Sequence, residues 1–331
     1  MSLDILVIGG SGEISSSCVA ELVRLGHRVS TFNRGTRKSQ SWVAGQAVRE
    51  IVGDVHDSAS YSSLGGTQYD VVCQFLAFTP ADIERDIEIF GGCCAQYIFI
   101  SSASCYQKPW LRGLITEETP LNNPYLSYSQ NKAACETVLA KAHAAGRLNV
   151  TVVRPSHTYR ERLPSTVIDG LHLAWRIQAG KPVIVHDDGE SLWTLTRAED
   201  FARAFALLCA NSLSLGETYH ITSDDYSSWN RILQTIGEVS GHEVTIVPVS
   251  CEVLNRHESS WAGPLWGDKA NNIVFDNSKI SAVTDGWRCE FSLRDGLRKA
   301  WLAAQAQLAG GYVPDDSAQD ALIDTIVREA S

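Results

Sequence analysis

This 331-residue sequence predicts a doubly wound α/β fold, a parallel sheet covered by helices on both faces with a smaller α/β part beyond it. Three observations lead there. Short apolar runs recur through the first half, stretches with helical spacing separate them, and a glycine-rich turn joins the first run to the first helix. The runs do not alternate strictly, as expected of strands buried on both faces. Strands separated by helices imply crossover units and a parallel sheet.

The elements follow in order. Strands are predicted at Ile5–Ile8, Arg28–Phe32, Val48–Val52, Val71–Leu76, Tyr97–Ile100 and Val150–Val153, and helices at Ile14–Leu25, Ala81–Cys94 and Ser129–Ala145. After Arg154-Pro155 the pattern loosens, loops lengthen, and seven of the nine tryptophans crowd the remaining half. The expected division is a Rossmann-like nucleotide-binding domain over 1–155 and a smaller α/β substrate-binding part over 156–331. Segments at about 192–222 are expected to rejoin the main sheet, with Glu217–Thr222 as a late strand.

The run Gly9-Gly10-Ser11-Gly12-Glu13-Ile14-Ser15 leaves the first strand and opens the first helix. In such a loop the first glycine turns the chain, the second lets backbone approach a pyrophosphate, and a small third residue permits close helix–sheet packing. The anion then sits on free N–H groups at the helix start. A strand before and a helix after are the context this motif needs, so Gly9, Ser11, Gly12, Glu13 and Ile14 are expected at a dinucleotide. A purely structural turn is the alternative. Glu13, an acid beside an anion site, has no ready explanation.

The second strand ends at Asn33, followed by Arg34, Arg37 and Lys38. An acid at that tip would accept from the ribose 2′-OH of NAD and repel a 2′-phosphate. Asn33 with three cations favours NADP over NAD, because guanidinium and ammonium groups grip phosphate. The alternative is a solvated basic loop, with Asn33 on the 2′-OH of NAD.

Tyr128 and Lys132 stand four apart, on one face of the predicted third helix. A phenol with its ordinary pKa of about 10 is a poor base near neutrality. A nearby ammonium, or a positive nicotinamide ring, favours phenolate and lowers that value. The phenol then becomes a usable general acid–base at a carbinol. Strand Tyr97–Ile100 runs into Ser101-Ser-Ala-Ser104, which can supply a hydroxyl to the same substrate oxygen.

With this order of motifs the chain resembles the short-chain dehydrogenase/reductase superfamily, in its extended branch of NAD-dependent epimerases and dehydratases. The resemblance spans GGSGEIS (9–15), GDVHD (53–57), YIFISSASCY (97–106), YSQNK (128–132) and VRPSHTY (153–159), and more loosely VIVHDDGESLWTLTRAEDFA (183–202). It implies Ser102 as the catalytic hydroxyl, Tyr128 as acid–base and Lys132 on the ribose and phenolate. It also implies Asp54 and Val55 at the adenine, Ala77 beside the cofactor, and Pro155 to His157 near the nicotinamide amide.

Departures from the family pattern bear on the substrate. Where the branch's sugar dehydratases carry Asp-Glu after the catalytic residue, this chain has Ala103-Ser104, which disfavours elimination of water. Trp193 stands where an arginine usually holds a substrate diphosphate, Trp266 precedes the Gly267-Asp268 that a second arginine usually precedes, and His157 replaces an asparagine. One reading is a substrate without a diphosphate, with Ser104, His157, Trp193 and Trp266 around a sugar face or another flat group. The other places these tryptophans in the core and gives the gripping to Arg197 or Arg256.

The expected activity is NAD(P)-dependent oxidation, reduction or epimerisation at a secondary hydroxyl or ketone of a sugar-like small molecule. A nucleotide-sugar 4-epimerase or reductase is the alternative within the class. A noncatalytic NAD(P) sensor or RNA-associated protein is the alternative outside it. Net charge is −10, which argues against nucleic acid, whose phosphates need clustered Lys and Arg. No apolar run reaches the roughly 20 residues of a membrane span. Nine scattered cysteines without a C-x-x-C pair fit a reducing, cytoplasmic setting, no metal is assigned, and a homodimer is the default expectation.

Overall fold

A computed structural model describes residues 2–36, 48–110, 113–314 and 317–330. The first half supplies β1 (Asp4–Ile8), β2 (Arg28–Asn33), β3 (Arg49–Val52), β4 (Tyr69–Gln74), β5 (Cys94–Ile100) and β6 (Val150–Pro155). Beyond them come β7 (His157–Tyr159), β8 (Val183–His186), β9 (Leu192–Arg197), β10 (Thr218–Ile221), β11 (Tyr226–Ser228) and β12 (Ile246–Val249). Seven strands form one parallel sheet in the order β10-β6-β5-β4-β1-β2-β3. The order reverses between β1 and β4, which opens a crevice at the carboxyl ends of the strands, where such sheets take ligands.

β1 shows why the central strands are apolar without a gap. Ile5 and Val7 face a core shared with the Ser15–Arg24 and Ala198–Leu208 helices. Leu6 and Ile8 face another core under the Pro80–Phe90 and Ser127–Ala144 helices. Thr79 starts the Pro80–Phe90 helix with a capping box to Asp82 and proline at its first turn. That helix stops at Phe90 rather than at the predicted Cys94. Gly91-Gly92 follows, Gly92 takes φ +85°, and Cys94 already begins β5.

Of the segment near 192–222, the Ala198–Leu208 helix covers the main sheet and β10 extends its edge beside β6. β9 does not join it. It pairs with β7 and β11 in a separate three-stranded sheet, while β12 pairs with β8. A further core, with Trp193, Leu195, Trp229 and Trp301, lies under these small sheets. Among the described residues, no helix is long and apolar enough to cross a membrane, and all nine cysteines are free.

Candidate active site

Three clefts meet at Gly12. The first, about 610 Å³, is lined by Gly9, Ser11, Gly12, Asn33, Arg34, Asp54 and Val55 from the ends of β1, β2 and β3. Gly9 takes φ +87°, and a Cβ there would come within 2.5 Å of the Leu76 side chain. At Gly53 a Cβ would press into the Phe32 ring at 2.5 Å. Only glycine leaves room at these two turns, and the cradle's size and place suit a dinucleotide. Asn33 lies with its Oδ1 3.4 Å from Ser11 Oγ. Arg34 is exposed, and Arg37 and Lys38 fall outside the described residues.

Ser15 does more than fit the small-residue position. Its hydroxyl donates to the Gly9 carbonyl at 2.5 Å and accepts from the Gly12 N–H at 2.9 Å, so the side chain closes the loop on itself. Glu13 departs from expectation. Its carboxylate takes the backbone N–H groups of Arg160 and Glu161 at 2.9 and 2.8 Å, tying the glycine loop to the chain after β7. The acid therefore has backbone partners of its own.

The second cleft, about 340 Å³, brings Ser102, Tyr128 and Lys132 together with Gly9, Gly12, Ile14 and Pro155. β5 delivers Ser102, the Ser127–Ala144 helix presents Tyr128 and Lys132, and the glycine loop forms the opposite wall. Lys132 is 1% exposed, and its Nζ donates to the carbonyls of Ala77 and Ile100, each at 2.7 Å. An ammonium has three donors, so one remains for a ligand. Burial lowers the Lys132 pKa to about 8.

The expected lowering of the Tyr128 pKa is not found in the protein alone. Desolvation on its cleft side pushes it up to about 12, with Ser102 pulling the other way, although 40% of the residue stays exposed. The ammonium sits 5.9 Å from the ring centroid, drawn instead to the two carbonyls. Ser102 Oγ lies 2.8 Å from Ser104 Oγ, which lies 2.7 Å from Ser129 Oγ. Ser104, expected at the substrate, has both contacts within the protein and buttresses Ser102.

The expected aromatic wall is not formed either. Trp193 is 3% exposed, stacks at a tilt 5.5 Å from Trp229, and donates its indole N–H to His157 Nδ1 at 3.3 Å. Trp266 packs half-buried against the Ile184–Leu265–Ile323 core. Trp193 sits on β9, whose inward face is core, which matches the alternative reading that places it in the core. His157 lines the third cleft, about 600 Å³, with Ser11, Glu13 and the Tyr159–Leu163 segment. Burial and then Lys269 lower its pKa to about 3, so it is neutral near pH 7.

Two residues near the site escaped sequence reasoning. Asn123 donates to the carbonyls of Ser104 and Gly267, both at 2.7 Å, and so joins the serine segment to the Leu265–Lys269 turn. Lys108 is 3% exposed, although a lysine beside Pro109 reads as a surface loop residue. Neither carries a local signal, because both act across long sequence separations.

A family model described as the NAD dependent epimerase/dehydratase family matches residues 5–222. The chain is 26% identical over 255 residues to 2′-dehydrokanamycin reductase of Streptomyces kanamyceticus, covering 76% of this chain and 70% of that protein. It is 24% identical over 309 residues to the chloroplast stem-loop binding protein of 41 kDa b of Arabidopsis thaliana, covering 90% and 78%. An epimerase structure from Methanothermobacter thermautotrophicus shares the fold with a TM-score of 0.77 at 15% identity, over 93% of this chain and 94% of that one.

Proposed function

This chain belongs to the NAD dependent epimerase/dehydratase family and is an enzyme of the epimerase or reductase type, and we propose that it acts at a secondary hydroxyl or ketone of a sugar-like substrate without a diphosphate. The observation that carries this reading is the second cleft, where Ser102, Tyr128 and Lys132 share one wall system with the glycine loop. Gly9, Ser11 and Gly12 would hold the pyrophosphate, Asp54 and Val55 the adenine, and Lys132, Ala77 and Pro155 the nicotinamide half. NADP is preferred over NAD, since no acid stands at Asn33 and Arg34 follows it.

When bound, a nicotinamide dinucleotide supplies the hydride donor or acceptor. The residues of this chain handle the proton. Tyr128 is protonated near neutrality, so it is ready to give its proton to a substrate carbonyl oxygen as that oxygen gains charge. In the reverse direction the phenolate must form first, and positive charge brought into the cleft favours it. Ser102 donates a hydrogen bond to the same oxygen, and Ser104 and Ser129 hold Ser102 in place. Ala103-Ser104 offers no second acid and base for eliminating water.

Tyr128→Phe tests the reading. Assayed for change in cofactor redox state across free sugars, nucleosides and nucleotide sugars, it is expected to lose roughly 10²- to 10⁴-fold in kcat while binding cofactor normally. Full activity in the variant would overturn the assignment. Strong competition by UDP would favour the nucleotide-sugar alternative. The resemblance to a stem-loop binding protein supports a second reading, an RNA-associated relative. Parallel titrations with NADP and a stem-loop RNA separate the two.

A further inference from the structure

Lys108 is a buried cation with nothing to hold. It lies two residues past Tyr106, and its backbone is clamped by Gln107 N–H to Pro120 O at 2.7 Å and Lys108 N–H to Asn122 O at 2.9 Å. The side chain is 3% exposed, and its Nζ has no hydrogen-bond partner among the described residues. An ammonium taken out of water without an acceptor is costly, and three N–H donors pointing into the interior suit an oxyanion.

Its backbone neighbours connect it to the serine segment. Asn123, the residue after the Asn122 that clamps Lys108, ties Ser104 to Gly267. Asp268 and Lys269 follow directly. Asp268 lies near enough to act electrostatically on Lys108, Lys269 and Tyr128, and Lys269 on His157; Asp268, Lys269 and His157 are half-buried and Tyr128 is exposed, so Lys108 alone is fully buried. Lys269 Nζ sits 5.8 Å over the Trp193 ring. No ion pair within 4 Å joins Asp268 to either lysine among the described residues. Two lysines thus lie near one carboxylate; burial raises the Asp268 pKa and lowers those of Lys108 and Lys269. His157 adds no charge.

We propose that Lys108, assisted by Lys269, holds an oxyanion carried by the substrate itself, a carboxylate or phosphate monoester on the sugar, beside the Ser102–Tyr128 pair. This rests on the sugar-like substrate proposed above and narrows it to acidic sugars.

Binding of D-glucuronate, D-glucose 6-phosphate and D-glucose to the NADP-loaded protein, followed by tryptophan fluorescence, tests this without turnover. At least one acidic sugar is expected to bind tenfold or more tighter than glucose. The tighter of the two identifies carboxylate or phosphate as the group recognised. Lys108→Met is expected to remove that advantage while leaving NADP affinity within twofold and the Tm no lower, since no hydrogen bond is lost. Lys269→Met gives the same test in milder form. Equal binding of acidic and neutral sugars by the unaltered protein overturns the proposal, as does an undiminished preference in Lys108→Met. Tyr128→Phe keeps the preference if the oxyanion site is real, so the two readings fail separately.

Discussion

Glu13 shows how one residue can mislead when its partner is far away in sequence. Beside a glycine loop, a carboxylate looks hostile to pyrophosphate. In space it accepts two backbone N–H groups from residues 160 and 161, a link across 147 positions. Hydrogen bonds to a charged acceptor contribute about 1.5–3 kcal/mol, and partial exposure reduces that here. Glu13→Ala is therefore expected to cost about 1–2 kcal/mol in urea unfolding. It should also weaken cofactor binding, because the glycine loop loses its tie to the chain after β7. An unchanged midpoint would remove the structural role given to Glu13. Trp193 teaches the converse lesson. It stands where a ligand contact is expected, yet its indole fixes the neutral His157 from inside the core.

At the scale of elements, the C-terminal Ser317–Ala330 helix is held by charge as well as by Ile323 and Ile326. Asp320 meets Arg176, His172 and Lys181, and Asp324 meets Arg176 and Lys181. Burial alone would raise the Asp320 pKa, but its cationic partners outweigh it and bring the value from 3.8 to about 2. A depressed carboxylate stabilises the fold above its unfolded value and loses that contribution as pH falls, here between about 4 and 2. The shift corresponds to about 2 kcal/mol. Asp320→Asn is expected to lose this much at pH 7 and to show a flatter acid limb in thermal melts across that window. Equal acid profiles would refute the ion-pair account. A second buried pair, Arg154 with Glu136 at 2.5 Å, ties β6 to the helix bearing Tyr128 and Lys132, one turn beyond the lysine. It keeps that helix aligned with the end of β5, where Ser102 begins the site.

For the whole molecule, cofactor choice depends on the open end of the sheet beyond β2. Asn33 and Arg34 line the cleft there, and NADP is expected to bind at least tenfold more tightly than NAD in parallel fluorescence titrations. Tighter NAD would return Asn33 to the ribose 2′-OH. The parallel sheet, the glycine loop and the Tyr128–Lys132 spacing were legible in the chain because each depends on local periodicity or short spacing, whereas Ser102 was singled out by the family resemblance. The apolar run of β1 could be read without a partner, since both its faces are buried. Family membership was legible for the same reason, mainly through motifs of five to ten residues. The destinations of Glu13 and Lys108 were not, nor was the choice between the two readings of Trp193 or the placing of β9 in a separate sheet. Each depends on contacts between segments far apart in sequence, and burial changes what a side chain does. In water Lys108 is a surface charge and Tyr128 an ordinary phenol. Only the packed structure strips the water from Lys108, leaving its ammonium without an acceptor, and sets the half-open Tyr128 beside Ser102.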